Sequence, residues 1–393
     1  MTPEALAALL SPQGWALLRA LPPYDERRTL RVSQRLHDEG LDPVLVAALL
    51  TQSRLRAKAR GKLGDFADGM LFTPAGLEQA TRLTVAAHHA QRYRAAGLTH
   101  VADLTCGIGA DTMAFAGIGL SVRAADIDEV TAAVATVNVR HFPEVTVAHT
   151  DALTLSLDGV DGVWADPARR RRSGSRVFDP AAFSPALDQV LALRERVPAL
   201  GLKLGPGLAH RTVPGDAHAQ WVSVDGDVVE VGLWFGPLAP EGPGRAALVL
   251  TGDRAHTVAA GPDGPPHATT GPVGAYLYEP DGAVIRAGLV GQVAADIGGR
   301  LIDPTIAYLT CDHRASTAVA TGFRVLDDLP FGVKTLRTYL RQRDVGRLEI
   351  KKRGTAVTPE SLRAQLGLRG SAAATVVLTR VAGAQRVLVV ERL

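Results

Sequence analysis

Four aspartates along one stretch of the chain stand where side chains could do chemistry: Asp103, Asp126, Asp151 and Asp166. Each lies at or just past the end of a short apolar run: HVADL (100–104), LSVRAAD (120–126), VTVAHT (145–150) and GVWAD (162–166). Ionised carboxylates there can accept hydrogen bonds from hydroxyl and amino groups of a ligand. Between the first run and a helical pattern comes Gly107-Ile108-Gly109. A strand, a glycine-rich turn and a helix make a ligand crevice at the carboxyl edge of an α/β sheet, and glycine lets the ligand approach the backbone. The dinucleotide fingerprint G-x-G-x-x-G is not met, because Thr112 stands at the third glycine position, so a pyrophosphate on the helix N-terminus is not the favoured ligand. Any one aspartate could be a helix cap or turn residue. Four in register point to one site.

The pattern resembles motif I of the class I S-adenosylmethionine-dependent methyltransferases, D-x-x-x-G-x-G, carried here by Asp103, Gly107 and Gly109. The resemblance implies S-adenosyl-L-methionine as cofactor. Asp126 would accept hydrogen bonds from the ribose hydroxyls, and Asp151-Ala152 would meet the adenine amino group. Thr105 and Ile127 count among the cofactor contacts. Asp166-Pro167-Ala168-Arg169 resembles the [N/D/S]-P-P-[F/Y/W] motif of methyltransferases acting on amino nitrogens. That makes Asp166 and the Pro167 carbonyl the expected acceptors of the target amine's protons. Ala168 and Arg169 depart from that motif. The D-P-P-R of RNA uracil-C5 methyltransferases is also similar, but that chemistry needs a cysteine nucleophile. Cys106 lies in the cofactor loop and Cys311 outside the catalytic region.

Two further resemblances extend along the chain. LFTPAGLEQATRL through ADIDEVTAAVATVNV is similar to the core of trimethylguanosine synthase, which implies that Phe72 and Thr73 close over the cofactor. LPFGVKTLRTYLRQRDVGRLEIKKRG resembles the THUMP-like domain that ends some bacterial class I methyltransferases, and this implies RNA as a partner.

The elements that must position these residues follow from periodicity. Residues 1–63 repeat apolar positions at three and four, as helices do, with a break at Pro22-Pro23. Thr73-Pro74 starts a further helix, with Thr73 as N-cap, expected to run to about Ala96. Strand-helix alternation then predicts a doubly wound, seven-stranded α/β sheet of the methyltransferase type. Its fifth strand is GLKLG (201–205), and WVSVDGDVVEVGLWF closes it as a hairpin about Asp225-Gly226. Residues 246–270, rich in Gly and Pro, read as a connector with one edge strand. Residues 271–393 read as a separate α+β domain, with AVIRAG among its strands. The expected domains are thus a helical region at 1–63, the methyltransferase domain at 64–245, the connector and the THUMP-like domain. Trp221 and Trp234 fit the core better than a base-stacking role.

The chain has 393 residues, 46% hydrophobic and 21% charged, and needs neither disulfide nor metal to hold its core. Two cysteines exclude a disulfide framework and a four-cysteine zinc site, and the eleven histidines show no metal-ligand spacing. No apolar run reaches the ~18 residues of a membrane span, so a cytoplasmic protein is expected. Net charge is only +3, but cations cluster at 51–62, 169–176 and 334–353, which suits a polyanion. Arg169, Arg170 and Lys203 are the candidate substrate contacts. The sequence therefore predicts a methyltransferase modifying an amino nitrogen of a base in tRNA or rRNA. Two alternatives share the features: a small-molecule or protein methyltransferase, and a non-catalytic RNA-binding protein on the same fold.

Overall fold

The computed structural model describes residues 1–169, 183–261 and 264–393. They form two compact units, Met1–Leu204 with Leu233–Pro240, and Gly205–Gly232 with Glu241–Leu393.

The first unit opens with four helices, α1 (Pro3–Leu10), α2 (Pro12–Ala20), α3 (Thr29–Asp38) and α4 (Pro43–Leu63). Three of them start by one device. Thr2, Ser11 and Asp42 each accept a backbone N–H of the first turn, and each is followed by proline, whose missing N–H costs nothing there. The break at Ser11-Pro12 divides the single helix expected before Pro22-Pro23. Thr73 and Pro74 repeat the device at α5 (Pro74–Gln79), where Thr73 Oγ1 accepts the Gly76 N–H at 2.9 Å. The helix expected to continue to Ala96 stops there and resumes as α6 (Leu83–Ala95). The cause is competition for its last carbonyls. Lys62 donates to the carbonyls of Leu77, Glu78 and Ala80, and Lys203 reaches that of Gln79.

The sheet of this unit contains β1 (His100–Asp103), β2 (Ser121–Asp126), β3 (Val145–His149), β4 (Gly162–Ala165) and β5 (Leu200–Leu204), all parallel. Between them run α7 (Ala110–Gly117), α8 (Glu129–Asn138) and α9 (Leu187–Ala192). The order is β3-β2-β1-β4-β5, followed by β7 (Asp227–Trp234). Strand β7 follows β6 (His218–Val224) through Asp225-Gly226, both at positive φ (51° and 91°), the geometry of a tight hairpin turn. Strand order reverses between β1 and β4, which opens a crevice at the carboxyl ends, where all four aspartates lie.

Residues 71–72, which lead into α5, are buried outside any helix or strand, and two side-chain amides pair with their backbone. Gln52 pairs with both backbone groups of Phe72. Asn138 accepts the Leu71 N–H at 2.7 Å and donates to the carbonyls of Leu71 (3.0 Å) and Ile108 (2.8 Å). Asn138→Ala leaves three buried backbone groups unpaired and is expected to cost about 3 kcal/mol. A lower urea midpoint at unchanged m-value would register it.

In the second unit the order is β9-β8-β6-β7, with β8 (Gly244–Thr251) parallel to β6 and β9 (Arg254–Ala259) antiparallel to β8. The stretch expected as a connector thus supplies two strands. Next come β10 (Tyr276–Pro280), α10 (Gly282–Ala287), α11 (Val290–Asp296), β11 (Arg300–Asp303), β12 (Ile306–Cys311) and β13 (Ala320–Pro330). The chain ends with α12 (Val333–Gln342), β14 (Val345–Lys352), α13 (Pro359–Leu366), β15 (Ala372–Val381) and β16 (Ala384–Arg392). They build a seven-stranded sheet ordered β11-β12-β10-β13-β16-β15-β14. AVIRAG, expected as a strand, is α10. Asp281 caps its start and Gly288, left-handed at φ 73°, ends it. Trp221 and Trp234 are buried.

Candidate active site

A cavity of about 520 Å³ opens at the carboxyl ends of β1, β2 and β4, within the size range of small-molecule sites. Thr73, Thr105, Gly107, Asp126, Ile127, Asp151, Ala152 and Asp166, all expected site residues, line it. Gly107 sits at φ 56° with nothing within 4 Å of where a Cβ would be, so its bare backbone forms part of the wall. Gly76 on α5 has the opposite setting. A Cβ there would stand 2.4 Å from Ile108, so only glycine lets α5 lie against the turn.

Asp126 ends β2 and orders the floor. Its Oδ2 accepts the Gly107 N–H at 3.1 Å and its Oδ1 that of Asp128 at 2.9 Å. Burial holds its carboxyl above the ordinary range, against those two backbone donors. Each oxygen retains a second lone pair. Ile127, beside it, is 66% exposed on the cavity wall. Asp151 both lines the cavity and caps the short turn Ala152–Thr154, accepting the Leu153 N–H at 2.9 Å.

Asp166 follows β4, with its backbone N–H donating to Thr105 Oγ1 at 2.6 Å. Its side chain is 32% exposed, and Oδ2 lies 2.5 Å from Lys203 Nζ. Lys203 is the next-to-last residue of β5, where Ala165 pairs with Leu202, so strand register brings Lys203 beside Asp166. It also donates to Thr81 Oγ1 at 3.0 Å. Thr81 in turn donates to Asp111 Oδ2 at 2.6 Å, and Asp111 Oδ1 meets His89 Nδ1 at 2.8 Å. Burial alone would raise the Asp111 carboxyl, but His89, Lys203 and Thr81 together hold it below the ordinary range. The His89 ring packs 4.4 Å from Trp164.

Five expected site residues lie elsewhere than on the cavity wall. Phe72 is fully buried in the apolar core under α4 and α8, because its ring is apolar and its backbone is tied to Gln52. Pro167 is buried, and Gly109 faces α8 across from Val139. Lys203, expected at the substrate, is ion-paired to Asp166 from within β5. Asp103 is buried beneath the cavity, with Oδ2 accepting from Thr112 at 2.6 Å. Only the backbone of Arg169 is described, pairing with Phe183. Arg170 lies outside the described residues, as does the rest of its arginine run. The basic stretch at 51–62 is partly engaged by the chain itself: Arg56 donates to the buried Met70 carbonyl, Arg60 pairs with Asp68 at the surface and Lys62 holds α5. No group of His, Cys, Asp and Glu that could hold a metal occurs among the described residues.

Burial pushes the Asp103 carboxyl up to about 8, aided by Asp111 and opposed by Thr112. The folded state therefore binds this proton more tightly than the unfolded chain does. Its contribution to stability is present below pH ~4 and is lost as pH rises through about 8. Asp103→Asn is expected to remove that loss. Relative to wild type, the variant should gain at least about 1 kcal/mol of unfolding free energy between pH 5 and pH 9 in urea titrations.

Residues 320–392 match a family model described as THUMP domain-like, and residues 2–59 match one described as a domain of unknown function. The chain is 37% identical over 343 residues to an uncharacterised S-adenosylmethionine-dependent methyltransferase of Mycobacterium tuberculosis, covering 85% of this chain and 92% of that one. The same protein from a second strain of that organism matches equally. The fold is shared with a Porphyromonas gingivalis protein described as a methyltransferase. Its TM-score is 0.75 at 21% identity, over 94% of this chain and 99% of that one. No helix among the described residues is long and apolar enough to cross a membrane.

Proposed function

The chain belongs to the family of S-adenosylmethionine-dependent methyltransferases, and from that premise we propose that it methylates an amino nitrogen of a base in RNA. The methyl donor is S-adenosylmethionine, which supplies a carbon already activated by positively charged sulfur. The residues present fit that molecule. Gly107 leaves a bare backbone wall, Asp126 keeps lone pairs for hydroxyl groups, Ile127 offers apolar surface, and Thr73, Thr105, Asp151 and Ala152 share the same cavity. The buried Asp103 supports the turn from below in this reading.

With the carbon activated, the chain's own task is mainly positioning. The observation that carries the reading is Asp166. It stands at the tip of β4 on the edge of the cavity lined by Asp126 and Asp151, its backbone fixed by Thr105. A carboxylate there accepts a proton of the incoming amino group and turns the nitrogen lone pair toward the donor, and the Pro167 carbonyl is the second acceptor in the proposed motif. The Lys203 ammonium 2.5 Å from Asp166 favours a neutral acceptor. A nucleobase amine is neutral near pH 7, whereas an alkylammonium would meet like charge.

RNA as the substrate class rests on the THUMP domain-like match and on the cations in it. Lys334, Arg341, Arg343, Arg347 and Lys352 are all exposed. In this reading residues 64–245 carry out transfer and residues 271–393 hold the RNA. The test uses methyl-tritiated cofactor, purified protein and total RNA from a strain lacking the gene. Label in an RNase-sensitive, protease-resistant fraction, falling steeply with added salt, is the expected result. Label confined to protein or small molecules would overturn the RNA reading.

A further inference from the structure

Beyond favouring a neutral acceptor, Lys203 is placed to act on the Asp166 carboxylate itself. Its side chain is 13% exposed. Its ammonium donates to acceptors that include Asp166 Oδ2 at 2.5 Å, Thr81 Oγ1 at 3.0 Å and the Gln79 carbonyl at 3.4 Å. The last two lie at the end of α5, the helix that flanks the cavity, and Lys62 grips the same helix end from α4. A lysine in a run of apolar strand residues is costly to bury unless its charge is compensated. Here the compensation comes from the functional carboxylate and from the α5 end together.

Resting on the reading of Asp166 as the acceptor-orienting carboxylate, we propose that Lys203 is a positioning residue. It locks the plane of the Asp166 carboxylate, keeps it ionised, and ties it to the α5 segment at the cavity wall. Among the described residues, other charged or titratable groups around this pair include Asp103 at the end of β1, Asp111 on α7, His89 on α6 and Lys62 on α4. Lys203 is a cation in direct contact with Asp166. Removing Lys203 therefore raises the proton affinity of Asp166 and takes away one tie on its carboxylate.

The test has a readout that does not depend on turnover. In protein labelled with 13C at aspartate carboxyl carbons, the Asp166 signal is assigned by its loss in Asp166→Asn. In Lys203→Met the midpoint of its titration should rise by about one pH unit or more, and in Lys203→Arg it should stay near wild type. With total RNA from the deletion strain as acceptor, Lys203→Met should lower kcat at least tenfold while the KM for S-adenosylmethionine changes less than threefold. Its acid limb should move up in pH, and Lys203→Arg should restore part of the rate. An unchanged Asp166 midpoint and an unchanged pH profile in a folded Lys203→Met would overturn the proposal. If Asp166→Ala abolishes turnover while Lys203→Met leaves it intact, the Lys203 role alone fails. If Asp166→Ala leaves turnover intact, the reading beneath it fails.

Discussion

Replacing Asp166 by alanine is expected to lower the methyl-transfer rate by about 10²–10⁴-fold, the range for losing a positioned proton acceptor. Cofactor affinity should stay within about threefold of wild type. The split follows from geometry. The Asp166 side chain is anchored to Lys203 on β5, whereas the residues assigned to the cofactor lie on the β1 and β2 turns and after β3. The backbone bond from Asp166 to Thr105 does not involve the carboxylate and survives the substitution. The variant leaves the Lys203 ammonium without its carboxylate, so some stability is lost as well. Single-turnover rates against calorimetric titration with S-adenosylmethionine separate the two effects. Equal loss of rate and affinity would make the role of Asp166 structural.

Gly107→Val is expected to weaken cofactor binding by 100-fold or more. At φ 56° valine is held in a left-handed conformation that costs about 1–2 kcal/mol. The larger effect is steric. Nothing lies within 4 Å of the new Cβ, so the protein itself accommodates the branch and the cavity loses the space. The Gly107 N–H that Asp126 accepts is also displaced by any adjustment of the turn. A melting temperature within a few degrees of wild type, together with loss of the shift that S-adenosylmethionine causes, is the expected outcome. Retention of that shift would place the cofactor away from this turn.

The parts of the fold legible in the sequence were those written in local chemistry. Acids at strand tips, the Thr73-Pro74 start and the Asp225-Gly226 hairpin were all read correctly as local structure, because each needs only its neighbours to act. Ser11-Pro12 carries the same signal as Thr73-Pro74, but the double proline at Pro22-Pro23 is the stronger breaker and masks it. AVIRAG failed for another reason. A six-residue apolar run fits strand and helix equally, and the deciding residues, Asp281 and Gly288, lie outside it. The polar network was hidden because it is assembled by packing. His89 and Asp111 are 22 residues apart on two helices, and Thr81 lies in a break that the helical period does not announce. Lys203 did leave a trace, as a charge inside the apolar run GLKLG, which marks either an edge strand or a paired buried cation. The cations at 51–62 misled in the opposite sense. Composition counts them alike, yet Arg56, Arg60 and Lys62 satisfy carbonyls and a carboxylate of the first unit.

Mass spectrometry of nucleosides from tRNA and rRNA of a strain lacking the gene, against the wild type and against strains carrying Asp166→Ala or Lys203→Arg, tests the account at its centre. The account predicts that one base methylated on an amino nitrogen disappears in the deletion strain, stays absent with Asp166→Ala and returns with Lys203→Arg. An unchanged nucleoside profile, or the loss of a methyl group carried on a ribose oxygen or a base carbon, would contradict it.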